Sequence, residues 1–109
     1  MNIIIGISWP FANGELHIGH AASSLPGDVI SRYHRLKGDK VILVSGTDCH
    51  GTPTEVKALQ ENKSPKEIVD DCHVSFSKDF KDFGISFDLY NRTDDPYHKE
   101  FVQEQFVKY

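Results

Sequence analysis

Two histidines flank a glycine in His17-Ile18-Gly19-His20, and this spacing is the feature of the sequence most suited to chemistry. Residues three apart share a helix face, so both imidazoles can point the same way if the segment opens a helix. The free amides of a first helical turn attract anions, and two imidazoles beside them could donate to phosphate oxygens as charge builds. We expect a site for nucleotidyl transfer. In an isolated H-x-G-H, histidines that only cap the helix are an equally open interpretation.

The glycine of this segment has its own expected role. Gly19 lacks a side chain, which would let a flat base or a ribose lie against the helix backbone. We therefore expect the segment to contact a whole nucleotide.

A second candidate lies in the polar stretch from Gly46 to Pro53, where Asp48 is the only carboxylate. A carboxylate at the edge of an apolar pocket gives a directed, charge-assisted contact to a substrate ammonium. The alternative is an aspartate that closes an Asx-turn or caps the next helix. Both interpretations stay open on the sequence.

Large aromatic residues flank a proline just upstream of the histidines. Trp9 and Phe11 could form the wall of an apolar side-chain pocket, or they could close the end of a sheet as core residues. The two roles are compatible.

A metal site is not predicted. Cys49, His50, Cys72 and His73 include no ligand pair with a recognised zinc spacing. The two cysteines are expected to be reduced core residues, because no secretory signal precedes them.

A strand, a helix and a second strand must position the two candidate loops. Apolar runs from Asn2 to Ser8 and from Lys40 to Ser45 predict strands buried on both faces. The segment between them predicts a helix that ends before Gly38 and kinks at Pro26. In a parallel unit of this kind both loops meet at one sheet edge. The apolar face of this helix comprises Ile18, Ala22, Leu25, Val29, Tyr33 and Leu36.

The second half of the chain predicts further helices. A short helix is expected near Glu55 to Gln60, and Ser64-Pro65-Lys66-Glu67 is a capping box for a long helix that ends at Gly84. A short extended piece follows at Phe87 to Tyr90. Asp94-Asp95-Pro96 then begins a last helix whose apolar face is unfinished at Tyr109, so we expect residues 1–109 to form one portion of a larger domain.

Composition narrows the classes of function. The 109 residues are 39% hydrophobic and carry a net charge of -4, which suits one domain and disfavours a free-standing nucleic-acid binder. No apolar run approaches about eighteen residues and no signal peptide is evident, so we expect a cytoplasmic protein with no membrane partner.

Three segments together resemble the methionyl-tRNA synthetases, which are class I aminoacyl-tRNA synthetases. The segments are Pro10 to Gly14, His17 to His20, which matches the "HIGH" signature, and Gly46 to Pro53. The leucine, isoleucine and valine enzymes usually carry tryptophan before the aspartate, where this chain has Thr47. The resemblance implies an α/β fold with a Rossmann-like nucleotide-binding parallel sheet, as an incomplete half of the class I catalytic domain.

The resemblance also implies roles for individual residues. His17 and His20 would be catalytic and would bind ATP phosphates, with Gly19 near the adenine and Asn13 also contacting ATP. ATP would enter with Mg²⁺, and the chain would hold no zinc. Methionine would be held by Trp9, Phe11 and Asp48.

Two departures from the family bear on the methionine pocket. Many relatives have tyrosine at Phe11, and some have leucine at Trp9.

The resemblance further implies methionine activation by ATP and later transfer to tRNA. The K-M-S-K-S loop, the zinc insertion and the anticodon-binding domain are absent from residues 1–109. We therefore expect contact with tRNA only through other regions, and no complete reaction by this chain alone. The alternatives are a stand-alone nucleotidyltransferase of the H-x-G-H superfamily and a non-catalytic truncated paralogue.

Overall fold

The structure, a computed structural model, describes residues 1–109 and contains three strands and four helices. In chain order these are β1 (Asn2–Gly6), α1 (Ile18–Leu36), β2 (Lys40–Thr47), α2 (Thr52–Glu61), α3 (Pro65–Phe83), β3 (Leu89–Arg92) and α4 (Pro96–Lys108). Every predicted element is present. None of the helices is long and apolar enough to cross a membrane.

The strands form one parallel sheet in the order β1-β2-β3. Ile4 lies opposite Ile42, and Val44 lies opposite Leu89. The predicted strand-helix-strand unit and its Rossmann-like parallel sheet are confirmed. The predicted bounds shift slightly, since β1 ends two residues before Ser8 and β2 continues two residues beyond Ser45.

The prediction that the first two strands are buried on both faces is wrong for this chain. Leu43 and Ile7 are buried on the face that the helices cover. On the opposite face the side chain of Ile4 is 76% exposed and that of Ile42 is 49% exposed. The physical reason is that no element of residues 1–109 covers that part of the sheet.

The predicted apolar face of α1 is also on the wrong side. Ile18, Leu25, Val29, Tyr33 and Leu36 are all exposed, whereas Ser24, Asp28 and Ser31 are buried. The reason is close approach to the sheet: a Cβ added to Gly27 would lie 2.8 Å from Ile7 Cδ1, so only small side chains fit between helix and strand. The helix itself runs through Pro26 as predicted.

Buried Asp28 joins α1 to the segment before β3. Its carboxylate accepts from the Ser86 amide at 2.7 Å and the Ser86 hydroxyl at 2.6 Å, and also from Arg32 Nε at 2.6 Å. Burial is the largest single influence on the pKa of Asp28 and raises it, but the bonds from Ser86 and Arg32 together outweigh burial and hold the pKa below its usual range. A charged group is therefore stable at this helix-sheet contact because every oxygen has a donor.

The long helix α3 supplies most of the core. Ser64 caps it through the Glu67 amide, and Gly84 ends it with a left-handed φ of 86°, as the sequence predicts. Its buried stripe packs under β2, with Ala12 and Leu43 completely buried opposite. The buried residues of α3 are Ile68, Val69, Cys72, Phe76 and Phe80.

Candidate functional site

Two loops meet at one edge of the sheet. The first loop, residues 7 to 17, follows β1, and the Asp48 loop, residues 48 to 51, follows β2. An isolated parallel bridge links Phe11 to Asp48. In it the Asp48 amide donates to the Pro10 carbonyl and the Ala12 amide donates to the Asp48 carbonyl, each at 2.9 Å. The predicted convergence of the two loops is confirmed.

The two histidines of the first loop and α1 form a reciprocal cap. His17 is the N-cap residue of α1, and its Nδ1 accepts from the Gly19 amide at 3.1 Å. His20 Nδ1 accepts from the His17 amide, also at 3.1 Å. The ring centroids lie 4.1 Å apart at an angle of 45°. This is the capping-box arrangement with imidazoles in place of the usual hydroxyl and carboxylate.

The caps determine which nitrogen of each ring carries the proton. An Nδ1 that accepts from an amide must bear the lone pair, so a neutral ring carries its proton on Nε2. Burial, with a smaller effect from neighbouring His17, lowers the pKa of His20. His20 is therefore a neutral Nε2–H donor at neutral pH, which is the form that can donate to an anionic ligand.

Gly19 is required by the cap. A Cβ at this position would lie 2.9 Å from His17 Cε1 and 3.0 Å from His17 Nδ1. The absent side chain thus makes room for the His17 ring, a reason that the sequence did not reveal. The expected contact of Gly19 with a base or ribose remains a prediction.

A cavity of about 140 Å³ lies between the first loop and the start of α1. It brings together Trp9, Phe11 and His20, for which the sequence predicts contacts with two different ligands. Phe11 is 51% exposed, so it forms a wall of the cavity rather than part of the core. The remaining lining residues are Ser8, Pro10, Ser23, Ser24 and Phe80.

The Trp9 ring packs closely against a glycine of β2, Gly46. A Cβ on Gly46 would lie 2.5 Å from the Trp9 ring and 2.3 Å from the Asn91 carbonyl. On its other side the Trp9 ring is 6.1 Å from that of His98 in α4. Only glycine at position 46 therefore leaves room for the indole at the carboxyl end of β2.

Asp48 is held by its neighbours as well as by the bridge. The Cys49 amide donates to Thr93 Oγ1 at 2.8 Å, and the Thr93 amide donates to the Thr47 carbonyl at 3.1 Å. The Asp48 carboxylate accepts only the His50 amide, at a long 3.4 Å. The Asx-turn alternative is therefore present in weak form, and it leaves most of the carboxylate free to bind a cation.

The structure does not gather every predicted residue into one cavity. His17 lines a separate hollow of about 350 Å³ between α1 and α3. Asn13 faces α2 across a groove of about 390 Å³, beside Thr52 and Lys57. Asn13 and His20 thus face different hollows of this chain.

The cysteines are buried free thiols, as expected of core residues. Burial raises the pKa of Cys49 and of Cys72, so both stay as thiols at neutral pH. No group of three or more potential ligands is arranged for a metal ion. The absence of a zinc site stays a prediction.

Three residues near the site were not recognised from the sequence as acting together. Thr47 Oγ1 lies 2.9 Å from His73 Nδ1 and 3.3 Å from the Tyr90 hydroxyl. The His73 and Tyr90 rings stack with centroids 5.6 Å apart. The one available signal was a threonine at the end of an apolar strand; its partners are 26 and 43 residues away along the chain.

The sequence has many relatives among known proteins. The family described as tRNA synthetases class I (M) matches residues 3–109. A methionine–tRNA ligase of Streptococcus pneumoniae is 56% identical over 108 residues, and one of Alkaliphilus oremlandii is 57% identical over 103. These matches cover 99% and 94% of this chain, but only 20% and 19% of the relatives. The chain thus spans about a fifth of their length.

The fold has a close counterpart among solved structures. Methionyl-tRNA synthetase of Mycobacterium tuberculosis, in complex with methionyl-adenylate, superposes with a TM-score of 0.95 at 26% identity. The match covers 97% of this chain and 21% of that one. The family match along nearly the whole sequence, the capped histidine pair and the superposed fold lead to one conclusion: the chain belongs to the methionyl-tRNA synthetase family of class I tRNA synthetases.

Proposed function

We propose that residues 1–109 are the ATP- and methionine-binding half of a methionine–tRNA ligase and form the N-terminal, Rossmann-like portion of its catalytic domain. The observation that carries the proposal is the Phe11–Asp48 bridge, which joins the loop of the histidines to the loop of the free carboxylate. The Mycobacterium tuberculosis relative supports it, since that structure holds methionyl-adenylate.

ATP would be bound through its phosphates. His17 and His20 would donate from Nε2 at the N-terminus of α1, where the helix dipole favours an anion. Gly19 would lie near the adenine, and Asn13 would make a further contact from the α2 side. ATP would enter as its Mg²⁺ complex.

Methionine would be held at the neighbouring edge. Its ammonium would pair with the Asp48 carboxylate, and its side chain would lie against Trp9 and Phe11, which already form a wall of the 140 Å³ cavity. The size of that cavity suits a small apolar side chain rather than a whole nucleotide.

The reaction would be adenylate formation. A methionine carboxylate oxygen attacks the α-phosphorus of ATP, a new oxygen–phosphorus bond forms, and the bond to pyrophosphate breaks. The residues of this chain would contribute by positioning the reactants and by donating hydrogen bonds as charge moves onto the leaving group. The later transfer to tRNA would use regions outside residues 1–109, in keeping with their net charge of -4. We place this reaction in the cytoplasm.

Methionine-dependent exchange between ATP and pyrophosphate tests the proposal in the protein as its gene encodes it. His20→Ala removes the Nε2 donor and should lower kcat by roughly a hundredfold. Asp48→Asn should instead raise KM for methionine, because the ammonium loses its charge partner.

Two outcomes would contradict the proposal. Exchange driven equally well by other amino acids would remove methionine as the substrate. Pyrophosphate release with a non-amino-acid acceptor would favour the stand-alone nucleotidyltransferase. We expect no exchange from residues 1–109 alone.

A further inference from the structure

The backbone of Asp48 has no free hydrogen-bonding group. Its amide donates to Pro10 and its carbonyl accepts from Ala12, both at 2.9 Å. The backbone from which the carboxylate projects is thus held on one side by the first loop, and on the other side by the residue that ends β2. That residue is Thr47.

Thr47 is completely buried, and its hydroxyl oxygen lies within hydrogen-bonding distance of two aromatic side chains. Its Oγ1 lies 2.9 Å from His73 Nδ1 on α3 and 3.3 Å from the Tyr90 hydroxyl on β3. A hydroxyl can donate once and accept as well, so both bonds can form together. The last residue of β2 is thus fixed from a helix and from the neighbouring strand.

The His73 bond is the shorter of the two, and charged groups surround it. Arg92 at the end of β3, Asp94 just after it and Asp70 on α3 act electrostatically on the imidazole. Arg92 is bound to both acids, each at 2.7 Å. Burial, then Arg92, lowers the pKa of His73, so the ring is neutral at neutral pH. A neutral imidazole is suited to hold a buried hydroxyl because it brings no uncompensated charge.

We infer that His73 is a positioning residue for the amino-acid substrate: through Thr47 Oγ1 it fixes the direction in which Asp48 presents its carboxylate. The inference rests on the proposed function only in naming methionine as the ligand of Asp48. A small displacement of a group that orients a substrate is enough to weaken its recognition.

Two substitutions of His73, made in the protein as its gene encodes it, separate the effect of the hydrogen bond to Thr47 from the effect of ring stacking on Tyr90. His73→Phe keeps the ring against Tyr90 and removes Nδ1, whereas His73→Asn keeps a polar atom near Nδ1 and removes the ring. We expect His73→Phe to raise KM for methionine about tenfold or more and to leave KM for ATP within about twofold. His73→Asn should restore most of the loss.

His34→Phe is the matched control. His34 is also a helical histidine with a side-chain bond of 2.8 Å, to Asp39, but it lies at the far end of α1. It should leave both KM values unchanged. Equal losses of methionine and ATP affinity in His73→Phe would reduce the role of His73 to general stability, and unchanged values would overturn the inference.

A second measurement does not depend on activity. Amide hydrogen exchange over residues 46–53 should be faster in His73→Phe than in the wild type and in His34→Phe, at conditions where all three are folded. Unchanged exchange there would also overturn the inference. If the wild type catalyses no methionine-dependent exchange, the proposed function fails, while the amide measurement still decides whether His73 positions Asp48.

Discussion

At the scale of single residues, capping by the histidine pair is compatible with the phosphate-binding role that the sequence presented as its alternative. Capping uses Nδ1 of each ring, and a phosphate would use Nε2. The motif and its place at the start of a helix could be predicted from His17, Gly19 and His20. The tautomer could not, because it depends on bonds of 3.1 Å that no spacing rule specifies.

The two roles of His17 can be separated by substitution. Asparagine is a strong N-cap residue, so His17→Asn should leave the free energy of unfolding nearly unchanged, whereas His17→Ala should lower it by about 1 kcal/mol. Both should lose ATP affinity, because both lack Nε2. Chemical denaturation and ATP titration check this, and full ATP affinity in either variant would show that His17 only caps.

Replacement of Gly19 by alanine should change the stability of the protein in the direction opposite to that usual for a helix. Alanine inside a helix is normally more stable than glycine by about 1 kcal/mol, but here its Cβ would collide with the His17 ring. We expect Gly19→Ala to destabilise the protein in thermal unfolding. In a His17→Ala background the same change should become stabilising. Gly14→Ala, where a Cβ meets open space, is the control, and stabilisation by Gly19→Ala alone would contradict the clash.

At the scale of elements, periodicity identified α1 but not the side on which it packs. The apolar residues are as regular as a buried face requires, yet Ser24, Asp28 and Ser31 face the sheet. The choice depends on tertiary fit. Gly27 approaches Ile7 closely, and Asp28 finds its donors 58 residues away at Ser86.

The orientation of α1 predicts opposite responses on its two faces. Val29 is 55% exposed, so Val29→Ala should change the free energy of unfolding by less than about 1 kcal/mol. Ser31 is completely buried, so Ser31→Leu should overpack the contact with the sheet and cost about 1–3 kcal/mol. Urea denaturation checks both. A larger loss of unfolding free energy in Val29→Ala than in Ser31→Leu would support the buried face predicted from the sequence.

At the scale of the whole molecule, the parallel strand-helix-strand unit and the convergence of its two loops could be predicted from alternating strand and helix patterns. The contacts that hold the Asp48 loop did not, because Thr47, His73 and Tyr90 are brought together only by the packing of α3 against the sheet. The sequence pattern of strands and helices predicts the architecture, whereas the hydrogen bonds of Thr47, His73 and Tyr90 depend on how the elements pack.

Stability should fall in two stages as pH falls. The pKa values of His20 and His73 are lowered by burial, so below about pH 6.5 the unfolded chain binds more protons than the folded one and the free energy of unfolding decreases. Arg92 lowers the pKa of Asp94 to about 2. The contribution of the Asp94 carboxylate to the free energy of unfolding is complete above about pH 4 and is lost towards pH 2.

Denaturant titrations between pH 8 and pH 2 would resolve the two stages. His73→Asn should reduce the loss of stability near pH 6, where His20 also contributes, and Asp94→Asn should reduce the loss towards pH 2, where Asp39 also contributes because its pKa too is lowered to about 2. A free energy of unfolding that rises between pH 7 and pH 5 would contradict the assigned pKa directions.

The reciprocal cap also determines how the histidine pair can react. Each neutral ring has one in-plane lone pair, on Nδ1, and a backbone amide already occupies it. His17 and His20 can therefore hydrogen-bond to a phosphate from Nε2 without being able to attack phosphorus. Acylating reagents should modify these two rings slowly despite their access to solvent, and a covalent phosphohistidine should not form at either position while the helix stays folded.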